Sequence, residues 1–137
     1  MNLLGLTYAQ LVDLFHQRYG KGPYHAAALY RAFFRTPDLD LDRVAAFAAS
    51  GRLSEKVQRD LAVQLPRVVD RTEQDGVVKL VFGLADGLRI ESVVIPMANH
   101  ATVCISCQVG CRMGCRFCRT GDLGWRRNLT AAEIVAE

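Results

Sequence analysis

The feature that most constrains this chain is a run of cysteines and glycines near its C-terminal end. All five cysteines of the 137-residue sequence lie between Cys104 and Cys118, and the segment "CRMGCRFC" has the spacing C-x3-C-x2-C. Gly110 and Gly114 precede two of these cysteines, and glycine allows a backbone to turn where a Cβ would crowd it. Because five is an odd number, complete disulfide pairing within the chain is impossible. We therefore predict a shaped loop that carries thiol chemistry.

Three interpretations of this spacing are open. Three thiolates can hold three irons of a four-iron four-sulfur (4Fe–4S) cluster and leave the fourth iron free for a substrate. The positions i, i+4 and i+7 also form one face of a helix with buried cysteines, although glycine disfavours a helix there. Finally, Cys104-x2-Cys107 and Cys115-x2-Cys118 are two pairs of the kind that bind zinc, although only seven residues separate them.

Positive charge is concentrated beside the cysteines. Between residues 104 and 128 the only acidic residue is Asp122, whereas the net charge of the whole chain is +3. The arginines of this segment are Arg112, Arg116, Arg119, Arg126 and Arg127. The distribution suits an anionic partner such as RNA, and Trp125 adds a stacking surface next to two of the arginines. A solvated arginine surface is the alternative.

The cellular compartment is predicted from two absences in the sequence. The first residues lack a basic segment typical of a signal peptide, and no apolar run approaches the ~18 residues that cross a bilayer. We therefore expect a cytoplasmic protein without a membrane contact. In that compartment, crowded cysteines are more often metal ligands or catalysts than disulfides.

Residues 1–65 have the pattern of a small helical domain. Hydrophobic residues recur at helical spacing, interrupted by capping residues, glycine and proline. The first helix is predicted to begin at the capping box Thr7–Gln10 and to end at Gly20, and the second to begin at Pro23 and to end at the segment "RTPD". A third helix, "DLDRVAAFAASG", is predicted to end at Gly51. The fourth is predicted to begin at Ser54 and to end at Pro66.

The pattern changes to short β-branched segments after residue 65. Three of them, "RVVDRTEQ", "VVKLVFGL" and "LRIESVVI", are separated by "DG" turns and predict an antiparallel β meander over residues 66–98. Residues 99–137 contain a fourth strand candidate, "TVCISCQ", then the cysteine loop, then a helix that begins at the capping box Thr130–Glu133. This order is typical of the opening of an α/β unit, so we predict an α+β chain followed by the start of an α/β domain that continues in a longer protein.

The longer string "CISCQVGCRMGCRFCRTGDLGWRRNLTAAEI" resembles the hallmark of the radical S-adenosylmethionine (SAM) methyltransferases that modify C2 of adenine in ribosomal and transfer RNA. The positions that match outside the cysteines are Gln108, Val109, Gly110, Phe117, Thr120, Gly124, Arg127, Asn128 and Leu129. The resemblance covers essentially all 137 residues. It implies that residues 1–65 are an RNA-binding accessory domain, in which Arg18, Lys21, Arg31 and Arg35 could contact RNA. Residues 99–137 would then begin a radical SAM partial (β/α) barrel.

The resemblance also implies roles for individual residues. Cys111, Cys115 and Cys118 would ligate a 4Fe–4S cluster that binds SAM. Cys104 corresponds to a catalytic cysteine that resolves a covalent RNA–enzyme adduct and closes a transient disulfide. Glu91 corresponds to the proton acceptor. From the residues alone, Glu91 would be a solvent-facing carboxylate on a strand, and Cys104 a small buried strand residue.

The partners implied by the resemblance are 23S rRNA, tRNA and an electron donor for the cluster, and we expect a monomer. Cys107 departs from the family pattern, which has serine there, and no cysteine follows Cys118 to carry the methyl group. We therefore expect that the isolated chain transfers no methyl group. The alternatives are the related adenine-C8 resistance methyltransferase and a non-catalytic RNA-binding module that holds a cluster or zinc.

Overall fold

The computed structural model describes residues 1–35 and 40–137, which fall into two compact units, Met1–Val63 and Gln64–Glu137. Most of the "RTPD" segment predicted to end the second helix lies outside the described residues. In the first unit the helices are α1 (Tyr8–Tyr19), α2 (Pro23–Arg35), α3 (Ala45–Ala48) and α4 (Gly51–Asp60), with 3-10 turns at Leu3–Gly5 and Leu41–Arg43.

Helix α1 begins and ends as predicted. The Thr7 hydroxyl accepts a hydrogen bond from the backbone N–H of Gln10 over 3.3 Å, and the Gln10 side chain accepts one from the Thr7 N–H over 2.9 Å. Gly20 ends the helix in the left-handed region, at φ +62°. The helix buries Leu11 and Phe15, which are one turn apart, and the Phe15 ring meets Phe47 edge to face at 6.2 Å.

The third and fourth helices correct the prediction. Gly51 does not end a helix but begins α4, and the predicted third helix is reduced to a 3-10 turn and the single turn α3. Ser54, predicted as an N-cap, lies inside α4 and is 1% exposed. Its hydroxyl donates a hydrogen bond to Asp42 over 2.7 Å, so a contact twelve residues away satisfies the group that would otherwise cap the helix.

Helix α4 also ends earlier than predicted. Its last residue is Asp60, five residues before Leu65, because the following backbone pairs with the start of the chain. The N–H of Leu3 donates to the carbonyl of Ala62 over 2.9 Å, and the N–H of Ala62 donates to the carbonyl of Met1 over 2.9 Å. These hydrogen bonds satisfy the N–H and the carbonyl of Ala62 in an extended pairing, so this residue does not continue the helix.

The second unit contains the predicted meander, extended by one strand. Its elements are β1 (Arg67–Gln74), β2 (Val77–Gly83), β3 (Arg89–Pro96), β4 (Ala101–Cys104), β5 (Gln108–Val109), α5 (Arg119–Asp122), β6 (Arg127–Asn128) and α6 (Ala131–Ala136). The first four strands form one antiparallel sheet in chain order. Asp75 and Gly76 both have positive φ, as a tight hairpin of twisted strands requires. The segment "TVCISCQ" supplies β4 and begins β5.

The predicted boundary at residues 98 and 99 falls inside the second unit, between β3 and its partner β4. All strand pairs of this unit are antiparallel in the described part of the chain, so the partial barrel expected from residue 99 onward is not seen there. Within residues 1–35 and 40–137, no helix has the length and apolar character needed to cross a membrane.

Candidate cluster loop and catalytic face

The cysteine loop, residues 110–126, is closed at its base by the short strands β5 and β6. Val109 pairs with Arg127 in an antiparallel register. Val109 and Leu129 are buried in a hydrophobic cluster with Phe82 and Ile90 of the main sheet. Both ends of the loop are therefore fixed to the core of the second unit.

Two close backbone contacts shape the loop between these ends. Gly110 has φ +72°, and a Cβ built on it would lie 1.7 Å from the carbonyl oxygen of Gly124. A Cβ on Gly121 would lie 2.9 Å from the carbonyl oxygen of Cys115. Both distances are shorter than real Cβ contacts allow, so the chain folds back on itself at positions that only glycine fits.

The three expected cluster ligands, Cys111, Cys115 and Cys118, are half-buried free thiols. The N–H of Cys118 donates to the carbonyl of Cys115 over 3.0 Å, which closes a turn between the last two. No helix forms between residues 111 and 118, so the interpretation as a buried helical face is wrong. All five cysteines are unpaired, which leaves a disulfide unsupported in this chain.

The loop fits an iron–sulfur cluster by its donor chemistry. It presents three thiols, which are the ligands that iron–sulfur clusters take. Glycine occupies the positions where two backbone segments of the loop come closest together. Across the described residues, no three His, Cys, Asp or Glu side chains converge as they would around a bound ion. Cys104 and Cys107 lie before the loop and are exposed.

Glu91 and Cys104 point to the same face of the main sheet. Cys104 pairs with Val93 across the β3–β4 ladder, and Glu91 lies two residues from Val93 on β3. Cross-strand partners share a face, and side chains alternate along a strand. The opposite face carries Ile90 and packs against the base of the cysteine loop. We call the side with Lys79, Glu91, Val93 and Cys104 the open face.

Both residues are exposed on this open face. The expectation of a solvent-facing Glu91 is confirmed, whereas the interpretation of Cys104 as a buried strand residue is wrong. Lys79, from β2, donates a hydrogen bond to Glu91 over 3.3 Å, although both side chains remain about half exposed. A shallow depression of about 500 Å³ adjoins them and is lined by Thr72, Gln74, Asp75, Val77, Lys79 and Val93.

The segment after Cys104 is held to β3 by side-chain hydrogen bonds. The Ser106 hydroxyl donates to the backbone carbonyl of Glu91 over 2.9 Å, and the Ser106 N–H donates to the Glu137 carboxylate over 2.8 Å. The same carboxylate accepts a hydrogen bond of 2.6 Å from Ser92, which is 1% exposed. These contacts tie the residues that follow Glu91 and Cys104 to the same carboxylate, that of Glu137.

Arg127 is the centre of an ion-pair network rather than an exposed cation. Its guanidinium donates to both carboxylate oxygens of Glu133 over 2.9 and 2.8 Å and to Asp86 over 2.8 Å. The hydrogen bond from Arg127 lowers the pKa of Glu133 to about 2, against the opposing effect of burial. The backbone N–H of Leu88, followed by Arg127, lowers the pKa of Asp86. The interpretation of Arg127 as an RNA contact beside Trp125 is therefore not supported by its geometry.

Arg112 lies over the Trp125 ring, next to which the sequence suggested Arg126 and Arg127. Its guanidinium carbon lies 5.2 Å from the centre of the Trp125 ring, in cation–π contact. Trp125 is 43% exposed and Phe117 is 92% exposed. The loop therefore presents aromatic surface and arginine side chains together, which is the combination that stacks on unpaired nucleotides.

Sequence reasoning missed Lys79, Ser106, Glu137 and the position of Arg112. Lys79 could have been found by period-2 counting from the Asp86–Gly87 turn, which places it on the same face as Glu91. The other three depend on contacts between distant segments, for which the local pattern gives no signal.

Comparison with known proteins finds similar sequences that share one name. No protein-family model matches the sequence. The chain is 42% identical over 134 residues to "Probable dual-specificity RNA methyltransferase RlmN" of Synechococcus sp., which covers 97% of this chain and 37% of that protein. It is 36% identical to "Dual-specificity RNA methyltransferase RlmN" of Psychrobacter arcticus, over 99% of this chain and 34% of the relative.

A solved structure has the same fold. A radical SAM methyltransferase from Sphaerobacter thermophilus matches with a TM-score of 0.80 at 34% sequence identity, over 99% of this chain and 40% of that one. The chain thus spans a little over a third of the length of the curated relatives that it matches, 37% of the Synechococcus protein and 34% of the Psychrobacter protein.

Proposed function

We propose that this chain, which is homologous over nearly its whole length to part of the dual-specificity RNA methyltransferases, supplies the cluster loop and two catalytic residues of a radical SAM RNA methyltransferase. The observation that carries the proposal is the three-thiol loop, which closes on itself where Gly110 meets Gly124 and is fixed through Val109 and Leu129 to the core of the second unit. The proposed substrate is adenine C2 in 23S rRNA and tRNA, and the proposed compartment is the cytoplasm.

Cys111, Cys115 and Cys118 would hold the 4Fe–4S cluster, which when bound supplies the electron that cleaves SAM. The chain's own contribution is to fix these thiols on a backbone closed by the base of the loop. An electron donor is required, and a second cysteine that carries the methyl group is proposed to lie elsewhere in the complete enzyme.

Glu91 and Cys104 are proposed to act together on the open face. The carboxylate accepts the proton that leaves the methylated adenine, and the thiol resolves the covalent RNA adduct by closing a transient disulfide with the carrier cysteine. Their shared face supports this pairing, because a base and a thiol that act on one adduct must reach it from the same side. Lys79 adjoins the carboxylate and adds positive charge where RNA would approach.

A chimera tests the proposal. The matching segment of the Synechococcus relative is replaced by this chain, and methyl transfer from labelled SAM to 23S rRNA and tRNA is measured under anaerobic, reducing conditions. We expect C2-methyladenosine in digested RNA, identified by mass spectrometry against C2 and C8 standards. A C8 product would assign the chain to the resistance enzymes instead.

Single substitutions in the chimera separate the roles. Glu91→Gln and Cys104→Ser should abolish product, and Cys104→Ser should accumulate a covalent RNA adduct on a denaturing gel. Cys107→Ser is the matched control, since it removes a neighbouring exposed thiol, and it should remain active. A folded chimera that holds its cluster and binds RNA but makes no product would instead favour the non-catalytic binding module.

A further inference from the structure

We propose that the helical unit carries a binding site for a phosphate group of the RNA backbone, in a basic cleft between the end of α1 and the start of α4. The residues that line the cleft are Arg18, Tyr19, Lys21, Ser50, Arg52, Leu53 and Lys56. The proposal deepens the proposed function and rests on it for the identity of the natural ligand, whereas the phosphate chemistry stands on the geometry of the cleft.

The size and lining of the cleft select a small anion. Its volume is about 190 Å³, below the ~300–1,000 Å³ of sites that enclose organic ligands. Four of the seven lining side chains are cationic and none is acidic. A single phosphate group on a larger molecule suits such a cleft better than a free cofactor does.

The positive charge of the cleft is only partly neutralised by its surroundings. Asp60 is engaged by Arg18, whose two nitrogens lie 2.8 and 3.1 Å from its carboxylate oxygens, and by the Tyr19 hydroxyl at 3.1 Å. Lys21, Arg52 and Lys56 form no salt bridge within residues 1–35 and 40–137.

Tyr19 adds no negative charge to the lining, and it donates its single hydroxyl proton to Asp60. Burial, followed by the hydrogen bond to Asp60, raises the pKa of Tyr19 to about 12, so the hydroxyl stays protonated at neutral pH. Ser50, at the N-cap position of α4, makes no side-chain capping bond. Within residues 1–35 and 40–137 its hydroxyl is thus available to an anion bound among Lys21, Arg52 and Lys56.

RNA is the occupant that these observations favour over a lipid surface. Membrane association of a basic face requires exposed apolar side chains that enter the interface. The apolar residue of the lining, Leu53, is 6% exposed and belongs to the core of the unit. A concave, cationic site without an apolar anchor instead suits the protruding phosphates of a nucleic acid strand.

The cleft also distinguishes among the cations that the sequence suggested as RNA contacts. Arg18 and Lys21 line it, and Arg52 and Lys56 join them from α4. Arg31 lies on the exposed side of α2 and is not part of the lining. The proposal therefore predicts unequal effects for substitutions that remove the same number of charges.

The test measures binding of the full chain to a fluorescently labelled tRNA anticodon stem-loop by anisotropy at several salt concentrations. Lys21→Gln with Arg52→Gln should raise Kd about tenfold and reduce the salt slope by about one for each lost contact. The control, Arg31→Gln with Arg59→Gln, removes two exposed charges outside the cleft and should change Kd less than twofold. Thermal unfolding confirms that both variants fold.

Two further arms identify the ligand. Titration with inorganic phosphate, followed by NMR, should shift the signals of Ser50, Arg52 and Lys56 in the wild type but not in the cleft variant. Anionic lipid vesicles should not bind in a manner that depends on the cleft. Equal losses in the cleft and control variants, or a cleft effect on vesicles but not on RNA, would overturn the proposal. None of these measurements needs the cluster or methyl transfer, so an inactive chimera would leave them unaffected.

Discussion

The carbonyl oxygen of Gly124 lies where a side chain on Gly110 would begin, 1.7 Å from the position of a Cβ on that residue. The two glycines stand at opposite ends of the cysteine loop, and both have positive φ. Their contact closes the base of the loop through backbone atoms. The backbone that positions Cys111, Cys115 and Cys118 is therefore determined by glycine packing as well as by the thiols.

Gly110→Ala should disrupt this closure, since backbone rather than a flexible side chain occupies the space. We expect a loss of roughly 3 kcal/mol or more in the free energy of unfolding, in the range of severe steric substitutions. Gly114→Ala is the matched control, because Gly114 also has positive φ, +58°, but has nothing within 4 Å of its Cβ position. It should cost about 1–2 kcal/mol. Urea unfolding followed by fluorescence of Trp125, the single tryptophan, measures both; equal losses would contradict the close contact.

The ion pair between Arg127 and Glu133 predicts a specific pH dependence. The folded-state pKa of Glu133 is about 2, below its ordinary value of 4.5. Its contribution to stability is therefore complete above about pH 4.5 and is lost as the pH falls toward 2. Glu133→Gln should lower the free energy of unfolding by about 1–2 kcal/mol at pH 7, because the pair is partly open to water.

That difference between wild type and Glu133→Gln should shrink as the pH falls from about 4.5 to 2.5. Urea unfolding at several pH values measures it. Glu55→Gln, an exposed carboxylate on α4 outside the network, is the control and should show no comparable loss. A difference that stays constant with pH would mean that the stabilisation comes from packing and not from the charge of Glu133.

Iron binding should depend on three of the five cysteines. After anaerobic reconstitution with iron and sulfide, Cys111→Ala, Cys115→Ala or Cys118→Ala should abolish the visible absorbance of a cluster, since each removes one iron ligand. Cys104→Ala and Cys107→Ser should retain it, because both residues lie outside the loop and are exposed. Equal dependence on Cys104 and Cys107, with zinc bound instead of iron, would favour the paired tetrahedral site.

Local patterns predicted the parts of the fold that depend on neighbours in sequence. The capping boxes at Thr7 and Thr130 formed because each joins residues three apart, and the meander formed because its turns have the residues that tight hairpins need. The boundaries at Gly51 and Ser54 were wrong because Asp42 satisfies Ser54 from a separate turn. No local pattern reports such a contact.

The same distinction applies to the site. The cysteine spacing identified the loop, since its three thiols and the turn between the last two are local. The part played by Arg127 could not be predicted, because Asp86 is 41 residues away in sequence. Its neighbours in sequence suggested an exposed cation next to Trp125, and only the tertiary structure shows that carboxylates on two sides engage it.

Arg112, and not Arg127, contacts the Trp125 ring, and this contact leads to a last prediction. Arg112 and Arg126 are exposed, and Arg112 stacks on the half-exposed indole, so both charge and a stacking surface are available to an unpaired nucleotide. Arg112→Gln with Arg126→Gln should weaken binding of the stem-loop RNA and reduce its salt dependence, and Trp125→Phe should retain most of the affinity.

Arg127→Gln is the informative contrast. It removes one positive charge from the same segment, against two in the double variant, and its side chain is held by Asp86 and Glu133. We expect this variant to lower the unfolding temperature with little change in the Kd of the folded protein. Anisotropy at a temperature where every variant is folded, together with thermal unfolding, measures the two effects separately. If Arg127→Gln weakened RNA binding as much as the Arg112 and Arg126 pair does, the ion-pair network would not remove Arg127 from the RNA surface, and the sequence-based interpretation would be restored.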